Sequence, residues 1–164
     1  MSNTIVVVVF ISIILFLQIG VLPHLSILGA YPNLILVSIL ALSILQGWKK
    51  TLPWIIVGGL FLDFYSLNNI LGVSVAGLLM VSYLSYVLSQ NTFKKTTFFS
   101  LTSVFLIAVF VYNAFLMLFW KVFNINIDFK FFGFVFGIVY NLIFALPIFY
   151  WLKKYVNRPE KIQG

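Results

Sequence analysis

Six runs of apolar residues, roughly 4–22, 32–47, 52–67, 70–89, 97–119 and 131–152, take up most of this 164-residue chain. No soluble architecture accommodates that pattern. Hydrophobic residues make up 63% of the sequence and charged ones only 8%, too little polar surface to cover a water-facing domain. Lipid must therefore be the solvent, and the runs read as six transmembrane helices in one domain, 1–164, of an all-α integral membrane protein. The first, fourth, fifth and sixth runs suit the roughly 20 residues that a spanning helix needs. The second and third are shorter; about 16 residues rise only about 24 Å. They call for a locally thin bilayer or for flanks drawn from Ile27–Tyr31 and Asn68–Ile70. The first run has no Lys or Arg ahead of it and exceeds a signal-peptide core of about 7–15 residues, so it reads as a span that is kept.

Charge orients the bundle. With six spans both termini share a side with the loops near 48–51 and 90–96, and that side carries Lys49, Lys50, Lys94, Lys95, Lys153, Lys154, Arg158 and Lys161. Only Lys121 and Lys130 fall opposite. The positive-inside rule then places both termini in the cytoplasm, N-in and C-in. Trp48, Trp54, Trp120 and Trp151 each lie close to the end of a run, where indole favours the headgroup level. The net charge of +7 is thus a membrane signature, and no nucleic acid is implied. Cysteine is absent, which excludes disulfides and thiol chemistry.

Helices in lipid gain little from burying apolar surface against each other, so small residues and polar contacts must hold them. In the sixth run Gly133, Gly137, Asn141 and Ala145 recur every four residues on one helical face. This stripe predicts a close helix contact, with Asn113 of the fifth run at a similar depth as a partner for Asn141. Pro32 and Pro53 are expected in the first turns of the second and third spans, where a missing N–H is harmless, whereas Pro147 lies inside the sixth. Residues 123–130 alternate apolar and polar with a strand-like period, as a loop resting at the outer interface or pairing with a partner's sheet edge.

Catalytic constellations are missing. An intramembrane metalloprotease needs paired histidines, and the chain has one, His24, beside Pro23 in an outer loop. No cluster of His, Arg or carboxylates suits a lipid phosphatase or transferase, so no catalytic residue, metal or cofactor is assigned. Asp63, in GGLFLDFYSLNNILG (58–72), is the one acid inside an apolar run. A carboxyl at such depth must be protonated, paired or hydrated. Two readings stand: a functional handle, or an architectural acceptor for backbone N–H groups or Ser66 in the turn 64–71.

Several of these features fall into one order: Pro32-Asn-Leu-Ile-Leu opens the second run, Gly59-Leu-Phe-Leu-Asp63 lies in the third, and Leu71-Gly72-Val73 opens the fourth. Asn141 and Pro147 follow, ahead of Lys153-Lys154. The pattern resembles the MreD family, small integral membrane proteins of the bacterial rod-shape and cell-elongation machinery. The resemblance implies a non-enzymatic scaffold that works with an MreC-like membrane protein, the actin-like MreB and the peptidoglycan synthases of the elongation complex. It also implies a fold similar to the substrate-binding subunits of energy-coupling-factor vitamin transporters. By the same resemblance Gly59, Asp63 and Gly72, with Asn68 in the intervening turn, form the motif that sets the outer turn and contacts a partner. The rival is a membrane subunit binding a vitamin-like molecule, with Asp63, Asn68 and Asn69 as polar contacts and Tyr65 and Tyr83 as stacking surfaces. A lipid-handling role would need a polar groove, for which few charges exist.

Overall fold

The computed structural model describes residues 3–27, 30–65, 70–91, 98–123 and 131–156. These form six α-helices: α1 (Asn3–Gly20), α2 (Leu34–Gln46), α3 (Trp48–Tyr65), α4 (Val73–Asn91), α5 (Phe98–Val122) and α6 (Phe131–Tyr155), with a short 3-10 turn at Leu22–Leu25. The expected all-α architecture is observed. Segments Val73–Gln90, Phe98–Val122 and Phe132–Tyr155 are long and apolar enough to cross a membrane, while Ile5–Gly20 and Leu34–Gln46 are shorter apolar helices. Asn68, Asn69, Lys94, Lys95, residues 124–130, Arg158 and Lys161 lie outside the described residues.

The shortest α-helix is the centre of the bundle. α2 packs against each of the other five, and every residue from Leu34 to Leu45 is buried. Its 13 residues rise only about 20 Å, well short of a hydrocarbon core of about 30 Å. That shortfall costs little here, because α2 is sheathed in protein and need not match the lipid thickness. Its residues Val37, Leu40 and Leu42 meet Phe105 of α5, Leu78 and Val81 of α4 and Phe149 of α6 in one continuous core.

The turn from α2 into α3 is a single residue. Gly47, at φ 88°, ends α2 by donating its N–H to the Ser43 carbonyl at 3.0 Å, and α3 begins at the next residue. The left-handed backbone there is the reason for a glycine. α3 therefore starts at Trp48, ahead of the run boundary at 52 expected from hydropathy, because Lys49 and Lys50 are helical and not a loop. A lysine in a first helical turn keeps its stem on apolar surface and extends its ammonium to the rim.

The prolines shift accordingly. Pro53 falls inside α3, not in its first turn as expected. Pro32 precedes the N-cap residue Asn33 and stands just outside α2. α6 does run through Pro147, as the sequence indicates.

Three cross-links fix how the helices run. Gln18, near the end of α1, and Asn141, in the first half of α6, both bond the backbone that begins α2. Phe10 of α1 stacks on Trp151 of α6 at 4.8 Å between ring centroids. α6 is thus parallel to α2 and antiparallel to α1. One end of the bundle collects the starts of α2 and α4 with the ends of α1 and α3; the other collects Gly47, the lysines of α3 and the last turn of α6.

Candidate functional site: two helix starts held by neighbouring helices

A helix that begins in a buried place has orphan N–H groups which lipid and core cannot satisfy. α4 begins in such a place, and Asp63 serves it. The carboxyl is 1% exposed; Oδ2 accepts from the Gly72 N–H at 2.7 Å and Oδ1 from the Ser74 N–H at 2.8 Å. Asp63 sits near the end of α3, so the cap comes from the neighbouring helix and not from the residue that starts α4. An acceptor at a helix N-terminus is also favoured by the partial positive charge there.

The glycines of the motif make that reach possible. Gly59 lies one turn before Asp63 on the same face of α3. A β-carbon on Gly59 would stand 2.7 Å from the Val75 Cα and 2.8 Å from the Val75 N, so the first turn of α4 rests directly on α3 at this glycine. Gly72, by contrast, has nothing within 4 Å of a β-carbon and needs glycine for its φ of 96°. Its carbonyl accepts the first helical bond of α4, from the Ala76 N–H at 2.9 Å. A third helix joins: the ring of Tyr112 of α5 lies 3.0 Å from where a β-carbon of Gly77 would stand.

α2 has the second buried start, and neutral amides hold it. Asn141 Oδ1 accepts from the Asn33 N–H at 2.8 Å, and Gln18 Oε1 accepts from the Leu34 N–H at 2.8 Å. The Asn33 side chain, as N-cap, accepts from the Leu36 N–H at 2.9 Å. The amide donors are used as well: Gln18 Nε2 donates to the Pro32 carbonyl at 3.3 Å and Asn141 Nδ2 to the Gly137 carbonyl at 2.9 Å.

Several expectations change at this point. Asn113 does not pair with Asn141; its Nδ2 donates to the Val109 carbonyl of its own helix at 2.8 Å. The sequence pointed to two amides at similar depth, but unsatisfied backbone N–H groups at a helix start are the stronger claim on an oxygen. Gln18 was not singled out, although it is the only amide or charged side chain within the apolar stretch from Ile5 to Gly20; that isolation was the available signal. The stripe Gly133–Gly137 is not a close contact within the chain at Gly137, where nothing lies within 4 Å of a β-carbon. The tight glycines are Gly58, 2.7 Å from Ile35 Cγ2 by the same measure, with Gly59 and Gly77. Tyr65 and Tyr83 are not brought together either. Tyr65 stacks on Phe61 at the end of α3, and Tyr83 meets Trp48 at its start, about 26 Å away along the helix. Both oxygens of Asp63 accept from the α4 backbone and the two tyrosines do not flank it together; Asn68 and Asn69 of the vitamin-binding alternative lie outside the described residues.

One concavity opens beside the start of α2. It has a volume of about 440 Å³ and is lined by Leu22, His24, Leu25, Ser26, Ile27, Pro32, Tyr140 and Phe144. The lining is mostly apolar, and Gly137 lies on the same flank of α6 as Tyr140 and Phe144.

Fold and site together define a multi-pass helical membrane protein whose internal polar groups hold helix starts in place. The chain belongs to the MreD family: the model of the family described as rod shape-determining protein MreD matches residues 1–158. No curated protein and no solved structure matches it, so the expected likeness to vitamin-transporter subunits adds nothing here. Membership carries with it a part in determining rod shape.

Proposed function

We propose that the chain is a non-enzymatic adaptor of the bacterial cell-elongation complex, helping control cell shape and peptidoglycan synthesis by holding partner membrane proteins. The observation that carries this reading is the full engagement of Asp63. It is the one carboxyl among the described residues, and both of its oxygens are taken by the backbone of α4. A buried acid used in this way stabilises a surface; it does not transfer protons or bind a substrate. The motif Gly59, Asp63 and Gly72 then shapes the end of the bundle that a partner meets, and Asn68 falls between Asp63 and Gly72 in the sequence.

In this reading both termini and the lysine pairs face the cytoplasm, and the starts of α2 and α4 face the outer leaflet. An MreC-like protein is the expected partner, with wall synthases joining through it. Affinity purification of the native protein from membranes tests the adaptor role: wall-elongation proteins should come with it at stable stoichiometry. Recovery of a bound small molecule and no partner protein would replace this reading with the transporter alternative. Orientation is tested separately by single-cysteine labelling, for which a cysteine-free chain is well suited. A cysteine at Lys49 should be shielded from impermeant reagents added to intact cells.

A further inference from the structure

The end of the bundle opposite the capped helix starts has a positive charge that no described residue neutralises. Lys49 and Lys50 stand in the first turn of α3, and Lys153 and Lys154 in the last turn of α6. The Asn33–Asn141 bond aligns α2 and α6 at one end, and about 14 residues of α2 and about 13 of α6 then lead to these lysines, rises equal to within about 2 Å. The two pairs are therefore level. Among the described residues the one carboxyl is Asp63, which is engaged at the far end, about 20 Å from Lys50 along α3. No carboxylate of the described residues lies near any of the four ammonium groups.

Aromatic rings mark the same level. The ammonium nitrogens of Lys49, Lys153 and Lys154 lie 6.0, 5.9 and 5.7 Å from the ring centroids of Trp48, Tyr150 and Tyr155. Trp48 meets Tyr83 edge-on, and Trp151 lies against Tyr155. Amphipathic rings beside ammonium groups are the composition expected at a headgroup layer. A zwitterionic headgroup brings its own cation to such a rim, whereas an anionic one brings net charge that completes it.

We infer that the rim formed by Lys49, Lys50, Lys153 and Lys154 is a binding surface for anionic glycerophospholipid, and that this lipid supplies counter-charge to the rim. The inference deepens the adaptor reading, and rests on its placing of this rim at headgroup level, by naming the lipid class. It is also indifferent to which leaflet is involved.

Native mass spectrometry of the full chain in a mild neutral detergent, with equal amounts of phosphatidylglycerol and phosphatidylcholine, tests it. Wild type should retain phosphatidylglycerol preferentially, and each lysine pair changed to glutamine (K49Q/K50Q, K153Q/K154Q) should lower that preference about tenfold. The fourfold arginine variant should keep it, which separates charge from folding. Thermal unfolding should shift upward with phosphatidylglycerol and not with inorganic phosphate. Equal retention of the two lipids, or a preference that survives in the fourfold glutamine variant, overturns the inference. A shift produced by inorganic phosphate alone also overturns it, in favour of a free-anion site. Partner recovery and cysteine labelling do not enter this measurement, so failure here leaves the adaptor reading and the orientation standing or falling on their own tests.

Discussion

The starts of α2 and α4 solve one problem in two chemistries. α4 is held by a single carboxyl that only accepts, two N–H groups onto two oxygens. α2 is held by three amides, two of which, Gln18 and Asn141, are also seen to donate to a carbonyl. An amide must satisfy both of its ends, so it needs two backbone partners and ties together more chain. The carboxyl needs fewer partners but demands close approach of the helix it caps. That is why the acid comes with Gly59 and the amides do not need such a neighbour. The difference predicts that the α4 start depends on spacing and the α2 start on redundancy.

Spacing is broken most severely at Gly59. Gly59→Leu places atoms where the Val75 backbone already lies, at 2.7 Å for the β-carbon alone. Neither helix can yield, since the clash is with main chain. The expected result is loss of the folded monodisperse species in size-exclusion chromatography. A variant that elutes and melts like wild type would show that α3 and α4 are not in contact there.

Asp63 comes next. Asp63→Ala strands one buried and one partly buried N–H group, at about 1–3 kcal/mol for a buried one, and should lower the thermal midpoint by several degrees. Asp63→Asn keeps one acceptor and turns an amide donor toward the other N–H, so its loss should be roughly half as large. Any weakening of partner recovery in Asp63→Asn should then track the stability loss. A variant of undiminished stability that still fails to recover its partner would give the carboxyl a direct role at the interface.

How far these roles could be read from sequence differs between the two helix starts. The α4 start was partly legible, because Asp63 is conspicuous in an apolar run and the reading of a backbone acceptor was available. What sequence could not decide was whether its oxygens were used, since that depends on α4 lying against Gly59. The α2 start was illegible for a different reason. Its donors are backbone groups, invisible to any residue pattern, and beyond the local N-cap Asn33 its acceptors lie 16 and 108 positions away in Gln18 and Asn141. The beginning of α3 was misplaced because lysines were read as loop, when a one-residue glycine turn allows them to be helical. The second run is short for a span, and burial against five helices explains it.

Redundancy at α2 is tested by a double-mutant cycle. Asn141→Leu removes the acceptor for the Asn33 N–H and should cost about 1–2 kcal/mol. Gln18→Leu should cost a similar amount through the Leu34 N–H. The two donors are adjacent in sequence, so the pair should be coupled by about 0.5 kcal/mol or more. Strict additivity in unfolding measurements would mean that the two caps act independently and that no shared network exists. Gly72→Ala belongs beside these on the α4 side. With open space around it but a φ of 96°, it should cost about 1–2 kcal/mol, and Gly72→Asn distinctly less.

The smallest effect is expected at Gly137, and it is the one that separates folding from assembly. The sequence stripe suggests a close helix contact, yet a β-carbon there meets nothing within 4 Å inside the chain. Its carbonyl accepts from Asn141, but that bond needs no particular side chain at position 137. Gly137→Ala should therefore leave the thermal midpoint within about 0.5 kcal/mol of wild type, or raise it slightly through helix propensity. Gly137→Leu should fold too, while adding bulk on the flank that carries Tyr140 and Phe144 beside the apolar concavity. If the adaptor reading is right and a partner helix uses that flank, the leucine variant should lose partner recovery with stability unchanged. Full recovery would move the partner to another face, and a large loss of stability would show that Gly137 is packed after all. The contrast with Gly59 is the sharpest available, since one glycine is needed by the fold and the other is not.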